Sequence, residues 1–220
     1  PDSVEFSTLG GWIATNASGM KKNRYGNIED IVEDITYMTV DGRVSGAVVA
    51  PRESIGSDAR KMMLGSEGNL GIITSAVVRI VPLPKVQRYG SILFPSFSAG
   101  VDFIFQLTRQ GVLPASVRLV DNLQFQFGMA LKPEKRGMEA LKSRLEKLYV
   151  TSLKQYDPDK MVACSLVFEG DAHSVEREER LLYKLALDYG GMRAGEVNGE
   201  RGYQLTFGIA YIRDFVMKHY

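Results

Sequence analysis

Two short stretches crowded with small residues constrain this chain more than anything else in it. The first runs Phe6-Ser7-Thr8-Leu9-Gly10-Gly11-Trp12-Ile13-Ala14-Thr15-Asn16-Ala17-Ser18-Gly19. The second runs Gly65-Ser66-Glu67-Gly68-Asn69-Leu70-Gly71-Ile72-Ile73. Residues without a Cβ let a ligand or a second backbone come close. The N–H groups of Gly10 and Gly11, with the Ser7 and Thr8 hydroxyls, suit an anion nest for a pyrophosphate. Ala14, Ala17, Ser18 and Gly19 leave room for a flat ring against the backbone. Tight helix–sheet packing in a glycine-rich turn explains the same composition equally well. The second stretch has neither the Gly-Lys-Ser/Thr end of a P-loop nor the spacing of a Rossmann fingerprint. Its place between a short helix and a buried strand points to backbone contacts rather than side-chain chemistry.

Around these stretches the chain changes character. Residues 1–84 are rich in Gly, Ser, Thr and Asn, whereas residues 85–220 alternate apolar strands with charged helical patterns. Pro82-Leu83-Pro84 marks the boundary, because proline ends a strand and stiffens a linker. In the first part the pattern predicts a strand over 31–40, a hairpin turn at Asp41-Gly42 and a return strand over 44–49. A short helix over 57–64, capped by Ser57 or Asp58, and a buried strand over 70–81 follow. In the second part, strands are predicted over 89–94, 115–120 and 161–168. Helices are predicted over 98–110, 134–149 and 174–189, with Gly111 and Gly190-Gly191 as stops. That order predicts an α+β layer, a sheet with helices on one face.

Composition removes several classes of function. The 220 residues are 45% hydrophobic and 24% charged, with a formal net charge of +1. No global field recruits nucleic acid or anionic lipid. Basic residues are interleaved with acidic ones, as in Arg177-Glu178-Glu179-Arg180, so no nucleic-acid partner is expected. The longest apolar stretch, residues 70–83, contains Arg79 and Pro82 and is too short to span a bilayer. The one cysteine, Cys164, sits in an apolar run and reads as a core residue rather than a nucleophile. No metal site is expected. The opening residues do not read as a signal peptide, and both ends look cut.

A resemblance adds to this reading. Ser7–Gly11, Asn16–Gly19 and Tyr25-Gly26-Asn27, with Gly65–Gly68 and Leu70–Ile73, resemble the FAD domain of the vanillyl-alcohol-oxidase flavoprotein superfamily. Pro114–Asn122, Gln124–Gly128, Ala130–Pro133, Phe168–Asp171, Ala194–Glu196, Arg201–Tyr203 and Ala210–Asp214 resemble the alkyldihydroxyacetonephosphate synthase family within it. Gly19–Asn23 is similar to that family too. The resemblance covers essentially all 220 residues and is weakest over 134–160.

The resemblance implies the C-terminal part of a PCMH-type FAD-binding domain over 1–84, followed by an α+β substrate (cap) domain over 85–220. It implies FAD contacts at Asp2, Ser3, Val4, Glu5, Phe6, Ser7, Thr8, Thr15, Asn16, Ala17 and Ser18. It implies further contacts at Glu67, Gly68, Asn69, Leu70, Gly71, Ile72 and Ile73. The family exchanges the acyl chain of acyl-dihydroxyacetone phosphate for a long-chain fatty alcohol, with no net redox change, in ether lipid synthesis. Such a substrate needs a cation for its phosphate and an apolar passage for its chain. The resemblance makes Arg118 catalytic and Arg213 substrate-binding. Each interrupts an apolar run, so each is expected to be partly buried. Structural ion pairs, Arg118 with Asp121 and Arg213 with Asp214, are the plain alternative. Phe125, Phe127, Met129, Tyr203, Phe207 and Tyr211 are either a tunnel lining or ordinary core. A further pyrophosphate-wrapping segment is expected before Pro1, and the catalytic Tyr and a His cluster after Tyr220. The family is peroxisomal, and peripheral membrane association and a homodimer are implied. Two other readings share the glycine-rich stretches: an FAD-dependent 2-hydroxy-acid (D-lactate-type) dehydrogenase and a noncatalytic scaffold.

Overall fold

The computed structural model describes residues 1–46, 54, 56, 58, 61–131, 150, 151 and 155–219. The chain divides into two compact units, Pro1–Leu83 with Ala210–Tyr220, and Pro84–Ile209.

The first unit opens with three short helices, α1 (Leu9–Ala14), α2 (Lys22–Tyr25) and α3 (Ile28–Ile31). Thr8 caps α1 by accepting from the Gly11 N–H. Strands β1 (Val32–Thr39), β2 (Gly42–Val44) and β3 (Ile72–Val78) form an antiparallel sheet in the order β2-β1-β3. The Asp41-Gly42 turn joins β1 to β2 as expected, with Gly42 at φ +129°, a conformation that favours glycine. Ile13, Ile28, Ile35, Tyr37 and Met63 form the core, with Leu9, Trp12 and Ile73 packed against them. Of the helix expected over 57–64, the described residues include a 3-10 turn at Lys61–Met63, while residues 57, 59 and 60 lie outside them. The end of the expected return strand, residues 47–49, lies outside the described residues.

The strand expected to be buried over 70–81 is shorter and half-exposed. β3 alternates between partly buried and exposed positions, and Ile72 is 74% exposed. The physical reason is its place at the edge of the described sheet, where α1 is the helix packed against it among the described residues. A β-branched run reads as buried on both faces when only alternate residues are covered.

The second unit holds β4 (Val86–Phe94), α4 (Phe97–Gln110), β5 (Ser116–Val120), α5 (Asn122–Ala130), β6 (Val162–Gly170), α6 (Ala172–Asp188) and β7 (Met192–Arg193). The last helix, α7 (Glu196–His219), belongs to this unit as far as Ile209. Its sheet is antiparallel in the order β5-β6-β4-β7, with β4 and β6 paired from Val86↔Gly170 to Phe94↔Val162. The helix expected over 134–149 lies outside the described residues.

On one sheet face, Ile92, Phe94, Val162, Cys164, Leu166 and Phe168 meet Phe103 and Leu107 of α4 and Val175, Leu182 and Ala186 of α6. Ser96 caps α4, accepting from the Ala99 N–H, and Gly111 ends it in the left-handed region at φ +68°. Cys164 is fully buried, and burial pushes its thiol up to about 12, so it stays protonated and is no nucleophile.

Asp171 caps α6. Its carboxylate accepts from the Ser174 hydroxyl at 2.7 Å and from the Ser174 and His173 N–H groups at 3.0 Å. Those bonds, the Ser174 hydroxyl first, hold its carboxyl down at about 2. An unfolded Asp titrates near ~3.9. The cap's contribution is therefore complete above about pH 4 and is lost as pH falls towards about 2. Asp171→Ser keeps a capping oxygen without the titration. Urea unfolding of the full-length protein across that window should show a smaller loss of stability in the variant than in the wild type.

The sequence pattern predicts helices on one face of this sheet, and the structure corrects that. Helix α7 covers the other face. Ser91 Oγ donates to the Gly195 carbonyl at 2.8 Å, and the Tyr203 ring lies 5.7 Å from Tyr89. Gly199 packs against the backbone of Gly90, and Gly202 against Ser165. Helix α7 meets the sheet with glycines and a hydroxyl rather than an apolar stripe, so periodicity did not mark it.

Candidate functional site

The two glycine-rich stretches meet in the first unit. The Gly65 N–H donates to the Ile13 carbonyl at 3.0 Å, and the Glu67 N–H to the Ala14 carbonyl at 2.8 Å. Gly10 lies against Ile73, where a Cβ would sit 3.6 Å from the Ile73 Cβ. Asn16 at φ +50° and Gly65 at φ +74° face each other, a Gly65 Cβ falling 3.6 Å from that of Asn16. Glu67 (φ +48°), Gly68 (φ +82°) and Gly71 (φ +155°) continue the left-handed run. Non-glycine residues rarely adopt this region and cluster there at ligand clamps. The Ser66 hydroxyl is buried in the same turn with no hydrogen-bond partner among the described residues. Small side chains, left-handed turns and a spare hydroxyl fit a flat, phosphate-bearing group held largely by backbone.

Within the first stretch the local bonding differs from the nest expected from composition. Thr8 Oγ1 is taken by the Gly11 N–H at 3.0 Å. Ser7 Oγ accepts from Trp12 Nε1 at 2.6 Å and donates to the Ser3 carbonyl at 2.8 Å. These hydroxyls build the helix start and the preceding turn. Residues Asp2 to Phe6 form that turn, and the Phe6 and Ser7 N–H groups also converge on the Ser3 carbonyl at 3.0 Å. Val4 and Phe6 are exposed. Thr15 Oγ1 donates back to the Gly11 carbonyl, the Ala17 N–H donates to the Trp12 carbonyl, and Ser18 Oγ donates to Asn27 Oδ1. The Asn69 N–H donates to the Ser66 carbonyl, Leu70 and Ile72 are exposed, and Ile73 packs on the core.

In the second unit, Arg118 stands on β5 opposite Ser165 and donates through Nη1 to Thr206 Oγ1 of α7. Thr206 is buried. Asp121, the alternative partner, instead caps α5 by accepting from the Gln124 N–H at 2.7 Å. No carboxylate pairs with Arg118 among the described residues. A partly buried guanidinium with one neutral partner keeps donors for an anion. Thr206 was missed in the sequence. Its spacing from Gly199 and Gly202, on one face of α7, was the available signal. Nearby on the same face, the buried Glu169 accepts from Gln87 at 2.9 Å. Burial first, then that carboxylate, push the Tyr203 phenol up.

Arg213 departs from the expected burial. Its side chain is 62% exposed and reaches Asp214 Oδ1 through Nε at 2.9 Å and Nη2 at 2.8 Å. A pair in open solvent contributes about 0–1 kcal/mol. The aromatic set divides. Tyr203 and Phe207 pack edge to face at 5.6 Å above the sheet. Phe127 and Met129 are exposed on α5. Tyr211 donates to Glu5.

A glycine-rich turn bonded to α1 through backbone groups, with an α+β sheet unit following it in the chain, fits a flavin-linked class. The chain matches the FAD binding domain family over residues 1–46. It belongs to the family of FAD linked oxidases, C-terminal domain, matched over residues 83–218, and FAD is its cofactor. It is similar to the alkyldihydroxyacetonephosphate synthase of Caenorhabditis elegans, 46% identical over the whole chain and 37% of that relative. The enzyme of that name from Dictyostelium discoideum is 32% identical over the whole chain and 36% of its own length. A solved alkyldihydroxyacetonephosphate synthase superposes with a TM-score of 0.83 at 30% identity, over the whole chain and 39% of that structure. The chain thus spans little more than a third of the relatives it matches. No helix among the described residues is long and apolar enough to cross a membrane.

Proposed function

We propose that this chain is part of an FAD-dependent alkyldihydroxyacetonephosphate synthase, exchanging the acyl chain of acyl-dihydroxyacetone phosphate for a long-chain fatty alcohol. The observation that carries the reading is Arg118, a partly buried guanidinium held by Thr206 and lacking a carboxylate partner among the described residues. Its planar fork suits a phosphate better than an ammonium would. The glycine ledge at Asp2–Thr8, Thr15–Ser18 and Glu67–Ile73 would hold the cofactor through backbone groups. Bound FAD would supply an electrophilic ring and electron sink. Thr206 would fix the rotamer of Arg118, and Arg118 would orient the phosphate. Arg213 would bind substrate only after leaving Asp214, at little cost for so exposed a pair. The same reading makes the protein peroxisomal, peripheral on a membrane face and dimeric.

The test uses full-length protein. Flavin absorbance together with incorporation of labelled fatty alcohol and release of fatty acid is the expected result. Bound FAD without exchange would defeat the assignment, and bleaching by D-lactate would then favour the hydroxy-acid dehydrogenase. Absence of flavin would favour the scaffold. In active protein, Arg118→Lys should raise the KM for acyl-dihydroxyacetone phosphate roughly 10- to 100-fold, the worth of one hydrogen bond to a charged group. Steady-state kinetics would show it.

A further inference from the structure

The turn Asp2–Phe6 is fastened at two places. At its end, Ser7 accepts from Trp12 Nε1. Just before that, its last two residues, Glu5 and Phe6, both meet one residue of α7, Tyr211, which belongs to the same compact unit. The Tyr211 hydroxyl donates to Glu5 Oε2, and its ring meets Phe6 edge to face at 5.6 Å and 88°. Phe6 is otherwise 77% exposed. A turn of residues with little burial has no reason to keep one shape unless something holds it.

We infer that Tyr211 is a positioning residue that latches the Asp2–Thr8 segment, through Glu5 and Phe6, into the shape that retains FAD. This rests on the reading that the segment lies along the cofactor. The phenol supplies a directed bond, and the ring covers the apolar side chain beside it. The bond to the Glu5 carboxylate raises the Tyr211 phenol above its ordinary value, as expected of a phenol that donates to a carboxylate. Neither Tyr211 nor Glu5 need touch the reacting atoms.

The experiment measures FAD release from full-length protein by the recovery of free flavin fluorescence. Tyr211→Phe keeps the ring contact and loses the donor, and it should weaken FAD retention about fivefold, a modest figure for so exposed a bond. Glu5→Gln keeps an acceptor for the phenol and should release FAD more slowly than Glu5→Ala does. Glu5→Ala should match Tyr211→Phe, and the double variant should release FAD no faster than either alone. Unfolding of the apoprotein should be the same in all four, which separates the latch from a general loss of stability. Wild-type retention in Tyr211→Phe, or additive losses in the double variant, would overturn the latch while leaving the flavoprotein reading intact. Wild-type protein that binds no FAD would overturn both.

Discussion

Gly199→Ala in the full-length protein should destabilise the second unit by about 3 kcal/mol or more, although alanine favours helix by up to ~1 kcal/mol over glycine. A Cβ at Gly199 would lie 2.2 Å from the Gly90 carbonyl oxygen, 2.4 Å from its carbon and 2.6 Å from its nitrogen. All three are backbone atoms of β4, which pairs with β6 along its length, Gly90 opposite Leu166, and with β7 at Ile92 and Leu93. The strand cannot yield, so α7 must lift by about 1 Å to restore ordinary contact. Gly90 is confined on its other side too, where a Cβ would meet the Tyr183 hydroxyl at 2.5 Å. Moving α7 would also pull Thr206 away from Arg118 and Gly195 away from Ser91. Gly208, further along the same helix, has nothing within 4 Å of the place a Cβ would take, so Gly208→Ala should be neutral or slightly stabilising. Urea unfolding of the two variants would separate the steric effect from helix propensity. Equal stability in both would mean that α7 does not sit against the sheet.

Gly71→Ala should have an effect of similar size on the first unit and should abolish flavin retention. Gly71 has φ +155°, and a Cβ would fall 2.4 Å from the Met38 carbonyl oxygen of β1. Strain from the backbone alone is about 1–3 kcal/mol, and the clash with β1 adds to it. The residue stands where the left-handed turn enters β3, so relieving the clash displaces Glu67–Ile73. Gly68→Ala is the comparison. Gly68 has φ +82° but open space around it, so it carries the conformational cost without the collision. The expected order of flavin absorbance per protein is wild type, then Gly68→Ala, then Gly71→Ala with none. Normal flavin content in Gly71→Ala would remove the second stretch from the cofactor site.

Some contacts were legible in part. The resemblance to the flavoprotein superfamily implied that the two glycine-rich stretches serve one ligand, and Gly65 and Glu67 do bond to Ile13 and Ala14. The bonds that the Ser7 and Thr8 hydroxyls make were not legible. A hydroxyl beside glycines reads the same whether it caps a helix or waits for a phosphate. Arg118 and Arg213 looked alike, each inside an apolar run. The structure places one on a sheet strand against a buried threonine and the other on an exposed helix end beside its own neighbour. Sequence pattern gives the period of a segment but not which of its faces another element covers.

What the sequence determined by itself was local. The Asp41-Gly42 hairpin, the Gly111 stop and the strand around buried Cys164 follow from residues a few positions apart. Tertiary structure alone decided that α7 lies on the second face of the sheet, that Arg118 meets Thr206, and that Tyr211 holds Glu5. The last two pairs stand 88 and 206 positions apart in the chain. Contacts at that separation depend on strand register and on how closely a helix can approach a sheet. Both are settled only when the whole core packs, because no short-range propensity carries them.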